Sequence, residues 1–167
     1  IERFIALLKA YGIGRLADVR TVPRSRRNPQ FNADALATSL RAENIDYVPL
    51  PSLGGLRHAR KDSPNTGWRN ESFRGYADYM QTQGFAEGLD ALIRMSRETR
   101  TAIMCAEAVP WRCHRSLISD AILVRECNVL DIMGPGKTTP HKLTPFANVS
   151  GQKITDPAPV EPDLFTR

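Results

Sequence analysis

Residues 104–120, MCAEAVPWRCHRSLISD, bring together two thiols, an imidazole, two carboxylates and two guanidinium groups. An apolar, strand-like run ends at Cys105, and the helix-like pattern that follows places Cys113 in its first turn. The start of a helix presents unpaired N–H groups and the positive end of a dipole, and both favour an anion or a thiolate. The stretch therefore predicts a nucleophilic Cys113 or an anion site, with Glu107 and His114 as acid–base groups.

Two sharper interpretations of this stretch fit less well. The seven-residue gap between Cys105 and Cys113, and the direct adjacency of His114, differ from the usual spacing of zinc ligands, so we expect no metal and no cofactor. One residue too many lies between Cys105 and Arg112 for the phosphate loop of tyrosine phosphatases. Cys105, on a buried strand, and Cys127, at a helix end, are expected to be packing residues.

A second group of polar residues lies in DVRTVPRSRR, residues 18–27. Asp18 and Arg20 are two residues apart, so they share one face of a strand. One hypothesis is that Asp18 orients Arg20 toward a phosphate or carboxylate, with Ser25 in the same basic loop as a further ligand. The alternative is a structural ion pair.

Residues 51–72 form a long segment that is rich in glycine, proline and serine and has no periodicity, as in a functional lid or a disordered stretch. Cations alternate with aromatic residues here and just beyond, which suits base stacking and backbone contacts with nucleic acid. Arg74 and Tyr76 are therefore candidate substrate-binding residues. Cation–π contacts that pin the loop are the alternative.

The hydrophobic pattern predicts how these residues are positioned. Helices are predicted at 1–11, 32–42, 73–81, 85–97 and 113–126, strands at 15–20, 46–50, 101–106 and 128–133, and a hairpin at Ser150–Gly151. Strands that alternate with helices predict an α/β domain with a mainly parallel sheet. Ligands collect at the carboxyl ends of such strands, so we expect one cleft there, lined by Arg20, Glu107, His114 and Arg115.

Length and charge limit the alternatives. A chain of 167 residues fits one domain, which we place at 1–155, followed by a loosely ordered tail at 156–167. Three cysteines argue against a disulfide framework and favour the cytoplasm, and no apolar run is long enough for a membrane span. Between Arg15 and Arg74, 11 Lys and Arg face 6 Asp and Glu, so the net charge of +5 lies in the first half. This predicts an anionic partner, although a solvated face is the alternative; the oligomeric state is not indicated.

These segments together resemble the bacterial family called domain of unknown function 488. The resemblance covers about residues 1–150 and rests on DVRTVPRSRRNPQF, LGG at 53–55, FRGYADYM at 73–80 and CAEAVPWRCHRSLISD. It implies a Rossmann-like three-layer α/β sandwich whose first strand, with a Gly-His-Ser motif, is missing from this chain. Family members often have a histidine in the last strand where this chain has Asp131. The polar positions implied by the resemblance are Asp18, Arg20, Ser25, Glu107, Cys113, His114, Arg115 and Asp120.

Three functions are compatible with these residues. The first is an enzyme, a hydrolase or a transferase, that acts on a phosphate-bearing substrate through Cys113 or His114 with Glu107, while Arg20 and Arg115 bind the anion. The second is a non-catalytic module that binds nucleotides or nucleic acid. The third is purely structural, with Asp18–Arg20 and Glu107–Arg115 as ion pairs that brace the loops.

Overall fold

The computed structural model describes residues 1–159, which contain five α-helices and seven β-strands. The helices are α1 (Glu2–Ala10), α2 (Ala33–Arg41), α3 (Glu71–Tyr79), α4 (Gln83–Glu98) and α5 (Arg115–Val124). The strands are β1 (Arg15–Asp18), β2 (Asp46–Pro49), β3 (Thr101–Met104), β4 (Leu130–Gly134), β5 (Lys137–Pro140), β6 (Asn148–Ser150) and β7 (Lys153–Thr155).

The first three strands form a parallel sheet in the order β2-β1-β3. The central strand β1 is buried from Leu16 to Asp18, each of which is at most 1% exposed. Strands that are covered on both faces have sequences of short apolar runs, and this pattern predicted the three strands. The protein is therefore a mixed α/β protein with a parallel sheet, and the finer description as a Rossmann-like sandwich stays a prediction.

Helices cover both faces of the sheet and create two cores. On one face, Leu8 of α1 and Leu36 and Leu40 of α2 pack with Leu16. On the other face, residues of α3, α4 and α5 pack with Ala17 and Val19, and they include Tyr76, Leu89, Leu92, Leu117 and Ile118. Neighbouring residues of a strand point to opposite faces, so the chain from Leu16 to Arg20 contributes alternately to the two cores.

The strand predicted at 128–133 exists, but it does not join the parallel sheet. It is β4, and it pairs with β5 in an antiparallel hairpin. The reversal is made by Gly134-Pro135-Gly136, in which Gly136 has a φ of 65° that favours glycine. The hairpin predicted at Ser150–Gly151 is confirmed as β6–β7, with Gly151 at a φ of 59°.

The long segment at 51–72 is folded back onto α3 by a buried carboxylate. Asp78 accepts hydrogen bonds from the Arg60 N–H at 2.7 Å, the Ser63 hydroxyl at 2.5 Å and the Asn65 amide at 2.7 Å. The segment starts with a short 3-10 helix at Pro51–Leu53, and Asn70 caps α3 by accepting from two backbone N–H groups. One acid in the next helix thus orders a stretch that has no periodicity of its own.

The segment predicted to be a loose tail is packed at its beginning. Asp156 is 1% exposed, its carboxylate accepts a hydrogen bond from the Trp68 indole at 2.7 Å, and its N–H donates to the Asn65 side chain at 2.8 Å. The boundary at 155 therefore falls inside the packed structure, because the predicted tail supplies partners for buried polar groups of the long segment. Residues 160–167 lie outside the described residues.

Candidate active site

The loops that follow the three parallel strands meet around one imidazole. Val19 follows β1, and its carbonyl oxygen lies 3.2 Å from His114 Nε2. Gly55 follows β2 and lies so close to the ring that a β-carbon there would be 2.4 Å from Nδ1. Cys105 follows β3, and its sulfur lies 3.9 Å from the same Nδ1. His114 is therefore the centre of the carboxyl edge of the sheet.

The orientation of His114 leaves Nδ1 as a hydrogen-bond acceptor that faces two sulfur atoms. A carbonyl oxygen only accepts hydrogen bonds, so the contact with Val19 places the proton of the neutral ring on Nε2 and leaves Nδ1 with a lone pair. Nδ1 faces Cys113 Sγ at 3.7 Å as well as Cys105 Sγ. The buried ring of Tyr76, 4.9 Å away between centroids, packs against the imidazole and is itself fixed by a hydroxyl bond to a backbone carbonyl. Tyr76, predicted to bind substrate, is thus buried against His114, and its substrate-binding role stays a prediction.

Cys113 lies just before the helix that was predicted to contain it. Pro110–Arg112 form a separate 3-10 turn, Cys113 is extended with a φ of −135°, and α5 begins only at Arg115. The helix starts later than predicted because the Cys113 carbonyl accepts the first bonds, from the N–H and the hydroxyl of Ser116. The Cys113 sulfur instead accepts a hydrogen bond from Arg115 Nε at 3.4 Å.

The two sulfurs of the site differ in acidity. A hydrogen bond from Cys105 is the largest cause that lowers the pKa of Cys113 to about 6, and the N–H groups and charge of Arg115 add to it against the effect of burial. The same hydrogen bond, together with burial, raises the pKa of Cys105 to about 12. At neutral pH, Cys113 is therefore a thiolate and Cys105 a thiol that donates to it. Cys113 is only 3% exposed, although the neighbouring Trp111 is 62% exposed and does not account for that burial.

Arg115 ties the loop after β3 to the site through the backbone. Its Nη2 donates to the carbonyl oxygen of Glu107, while its Nε donates to the Cys113 sulfur. The predicted Glu107–Arg115 ion pair is not formed, and the Glu107 side chain is exposed with no hydrogen bond within residues 1–159. Arg115 therefore bonds both the Cys113 sulfur and the backbone of the loop after β3, and it does not bond the carboxylate of Glu107.

Asp18 and Arg20 form a separate cluster on the α2 side of the sheet. Arg20 Nε donates to both oxygens of Asp18, and Nη2 donates to Asp18 Oδ2 and to the carbonyl of Phe31. The Tyr47 hydroxyl donates to the same carboxylate at 2.7 Å, and burial is the main cause that raises the Tyr47 pKa to about 12. Phe31 and Tyr47 pack on the core of α1 and α2, whereas His114 lies on the other face. The Arg20 side chain therefore does not share a cleft with the thiols, contrary to the single cleft expected from topology. Successive residues of a strand point to opposite faces of the sheet, so Arg20 points to the α2 side, whereas Val19 faces the side of His114.

Ser25 and Arg74, both predicted to bind substrate, form hydrogen bonds within loops. Ser25 accepts from the Asn28 N–H through its hydroxyl, and its own N–H donates to the side chain of Asn32. Asn32 precedes α2 as predicted, but its side chain holds this turn and does not cap the helix. Arg74 donates through Nε and Nη2 to the carbonyl of Trp68. Neither contact is with the thiol cluster.

A cluster at the other side of α5 surrounds His141, which the sequence analysis did not name, although it named Asp120 and Asp131. Asp120, 0% exposed, accepts from His141 Nε2 at 2.9 Å and from the Thr144 N–H and hydroxyl, and Asp131 faces His141 Nδ1 at 3.3 Å. Hydrogen bonds to these carboxylates, first of all Asp120, raise the His141 pKa. Both ring nitrogens of His141 face carboxylates, so the protonated imidazole links the β4–β5 segment to α5. Asp131 is the second partner of His141.

The thiol cluster also has the donor atoms of a soft metal site. Cys105 Sγ, Cys113 Sγ and His114 Nδ1 lie within 4.8 Å of one another, and sulfur and imidazole nitrogen are the usual ligands of zinc. The sequence spacing gave no indication of this because the loop between the cysteines doubles back. The Arg115 guanidinium that bonds the Cys113 sulfur opposes a second positive charge there, so thiol chemistry has the better electrostatic support.

The fold and the site thus define an α/β protein with a thiolate, a thiol and an imidazole at the carboxyl edge of its parallel sheet. Residues 1–122 match the family model described as domain of unknown function DUF488, and the chain belongs to that family. The match includes the sheet and the thiol cluster, whereas the hairpins β4–β5 and β6–β7 lie beyond it. No curated protein and no solved structure matches the chain. Among residues 1–159, no helix has both the length and the apolar character needed to cross a membrane.

Proposed function

We propose that this protein is a cysteine-dependent enzyme, a hydrolase or a transferase, that acts on a phosphate-bearing substrate such as a nucleotide or a nucleic acid. The observation that carries the proposal is the contact of the Cys113 sulfur with Arg115, Cys105 and His114 at one edge of the sheet. Ligands of parallel α/β sheets bind at this edge, and a Rossmann-like sandwich, which stays part of the proposal, would have its site there.

In this proposal Cys113 is the nucleophile. Its thiolate attacks the electrophilic atom of the substrate, the bond from that atom to the leaving group breaks, and the leaving group takes the electron pair. Cys105 carries the proton closest to the thiolate, and His114 Nδ1 can take up or return a proton between the sulfurs. Water or a second substrate then releases the group from sulfur. Glu107, which has no partner within residues 1–159, is assigned no step.

The phosphate part of the proposal rests on a basic loop beside the site. The Leu56 N–H donates to the Thr21 hydroxyl at 3.4 Å, so the loop after β1 lies against the segment that carries Gly55 and touches His114. This loop holds three exposed arginines whose guanidinium groups take part in no hydrogen bond or ion pair within residues 1–159: Arg24, Arg26 and Arg27. Cations at the rim of a cleft attract phosphate and raise its local concentration.

The nucleophile is tested by alkylation with iodoacetamide and peptide mapping at pH 6.5. Cys113 should react first, with a rate midpoint near its pKa of about 6, because only the thiolate is alkylated. The Cys127→Ser variant is the matched control and should leave labelling at Cys113 unchanged. Inorganic phosphate should slow labelling at Cys113 but not at Cys127. Labelling at Cys127 before Cys113, in the wild-type protein, refutes the proposed nucleophile.

Turnover is tested with mononucleotides and short oligonucleotides, with product formation compared between the wild-type protein and Cys113→Ser. Serine is similar in size but is not ionised at neutral pH, so the product should disappear in this variant. Equal product formation by both proteins would mean that the chemistry does not use Cys113.

A non-catalytic nucleic-acid-binding module is the second candidate, and the three exposed arginines of the basic loop favour it. Binding to short single-stranded DNA or RNA should then weaken steeply with added salt. Replacing Arg26 and Arg27 by Ala should weaken binding without a change in stability, since both side chains are exposed. Binding that is strong, depends on salt and occurs without turnover favours this candidate over the enzyme.

A further inference from the structure

The proposed nucleophile has a second thiol as its immediate neighbour, and an enzyme that only transfers a group through Cys113 does not need it. Cys105 Sγ, Cys113 Sγ and His114 Nδ1 lie within 4.8 Å of one another, whereas Cys127 lies apart and bonds a backbone carbonyl. We propose that Cys113 and Cys105 are the attacking and resolving thiols of a redox centre that reduces hydrogen peroxide. The inference rests on the proposed function in that both use the Cys113 nucleophile.

Access to Cys113 selects a small oxidant. The residue is 3% exposed, so hydrogen peroxide, which is little larger than water, reaches the sulfur with the least movement of the exposed loop at 106–108, whereas a larger substrate needs that loop to shift further. Arg115 Nε, 3.4 Å from the sulfur, is placed to donate to a peroxide oxygen that approaches the thiolate. A cation there also stabilises the negative charge that passes to the leaving oxygen.

The first step consumes the peroxide. The Cys113 sulfur attacks one peroxide oxygen, an S–O bond forms, and the O–O bond breaks. The second oxygen leaves with the electron pair, takes up a proton and becomes water. Cys113 is oxidised by two electrons to a sulfenic acid, and the peroxide is reduced by two electrons.

The second step needs a base, because the Cys105 thiol must lose its proton before its sulfur can attack. His114 Nδ1, 3.9 Å from Cys105 Sγ and 3.7 Å from Cys113 Sγ, is placed to take its proton. The Cys105 sulfur attacks Cys113, an S–S bond forms and the S–O bond breaks. The departing hydroxide takes the proton back from His114 and leaves as water. Two thiols and one peroxide thus give one disulfide and two waters, and an external dithiol restores the thiols.

The loop that carries Cys105 permits the sulfurs to meet. Ala106, Glu107 and Ala108 are exposed and belong to no helix or strand, and Arg115 holds this stretch through the Glu107 carbonyl. Disulfide formation requires the two β-carbons to come within about 3.5–4.5 Å. A shift of an exposed loop achieves this without disturbing β3 or α5.

The test uses the full chain, hydrogen peroxide in equimolar amount, and a quench with iodoacetamide before peptide mapping. The wild-type protein should yield a linked Cys105–Cys113 peptide pair that dithiothreitol reverses, and Cys127→Ser should give the same yield. Cys105→Ser should instead accumulate sulfenic acid at Cys113, trapped by dimedone. His114→Gln should form the sulfenic acid at Cys113 but close the disulfide about 100-fold more slowly, as expected for loss of a general base.

The outcomes separate this inference from the proposed function. If peroxide leaves a sulfenic acid at Cys113 in the wild-type protein while Cys105 is alkylated, the resolving role is overturned and the nucleophile stands. The same holds if iodoacetamide labels Cys113 but peroxide does not oxidise it, or if the disulfide joins Cys113 to Cys127. If Cys113 reacts with neither reagent, both proposals fail.

Discussion

Gly55→Ala should displace the central imidazole without removing any functional group. A β-carbon at Gly55 would lie 2.4 Å from His114 Nδ1, 2.8 Å from Cε1 and 2.9 Å from Cγ. The φ of Gly55 lies outside the left-handed region, so steric conflict with the ring, and not backbone strain, is the effect that the substitution introduces.

The expected magnitude follows from these distances. Carbon atoms pack at about 3.5–4.0 Å, so the ring or the loop must move by about 1 Å. The ring is fixed on two sides by the Val19 carbonyl and the Tyr76 ring, so it resists the shift. Overpacking of this kind costs about 1–3 kcal/mol of unfolding free energy. It also moves Nδ1 away from the sulfurs of Cys113 and Cys105.

Two assays follow the two effects. Urea denaturation measures the unfolding free energy, and the rate of disulfide closure after peroxide treatment reports the position of His114. Gly84→Ala is the matched control. Gly84 is an exposed residue of α4 whose added β-carbon would meet only the Tyr79 hydroxyl, at 3.4 Å. This control should stabilise the helix by about 0.5–1 kcal/mol and leave the closure rate unchanged.

The reasoning is refuted if Gly55→Ala unfolds at the same urea concentration as the wild-type protein and closes the disulfide at the same rate. A loss of stability alone, with an unchanged rate, would mean that the loop moves and the ring does not. His114 would then be held by Val19 and Tyr76, and Gly55 would have no role in its position.

Three further substitutions test the polar contacts. Arg20→Ala leaves the carboxylate of Asp18 buried without its cation and should cost about 3–5 kcal/mol in urea denaturation; a loss below about 1 kcal/mol contradicts the buried ion pair. Asp78→Ala removes the acceptor of three donors and should cost about 3 kcal/mol. Limited proteolysis should then cut within residues 60–65, and an uncut segment speaks against this role. His141 has a raised pKa in the folded state, so its stabilising effect is full below about pH 6.5 and is lost as the pH rises through the folded value. The unfolding free energy of the wild-type protein minus that of His141→Gln should fall over this range, and a constant difference argues against a charged His141.

The sequence by itself determined the class of fold and the edge at which its polar loops meet. Short apolar runs between amphipathic helices indicate a parallel sheet, and the carboxyl ends of neighbouring parallel strands share one edge. Cys113 and His114 could therefore be placed at this edge, and Gly151 marked a hairpin from local chemistry alone. Asn32 precedes α2 as predicted, although its side chain does not cap the helix.

The sequence did not predict the pairing of β4 or the order of residues 51–72, because both depend on contacts between residues that are distant in the chain. The hairpin formed by β4 and β5 could not be predicted, because the hydrophobic pattern of a strand does not indicate which strand it pairs with. The defined conformation of residues 51–72 could not be predicted, because it depends on hydrogen bonds to Asp78 and Asp156, which lie outside that segment.

Only the tertiary structure decided which polar groups share a site. Arg20 and Val19 are neighbours in the chain, yet the Arg20 side chain bonds Asp18 on the α2 side while the Val19 carbonyl bonds His114. Cys105, expected to be a packing residue, becomes the partner of Cys113 because the loop between them doubles back over the sheet edge. Hydrophobic periodicity records which face of an element is buried, but the charge on a thiol depends on the few atoms within about 4–6 Å of it. Those atoms are brought together by the packing of β1, β3 and α5.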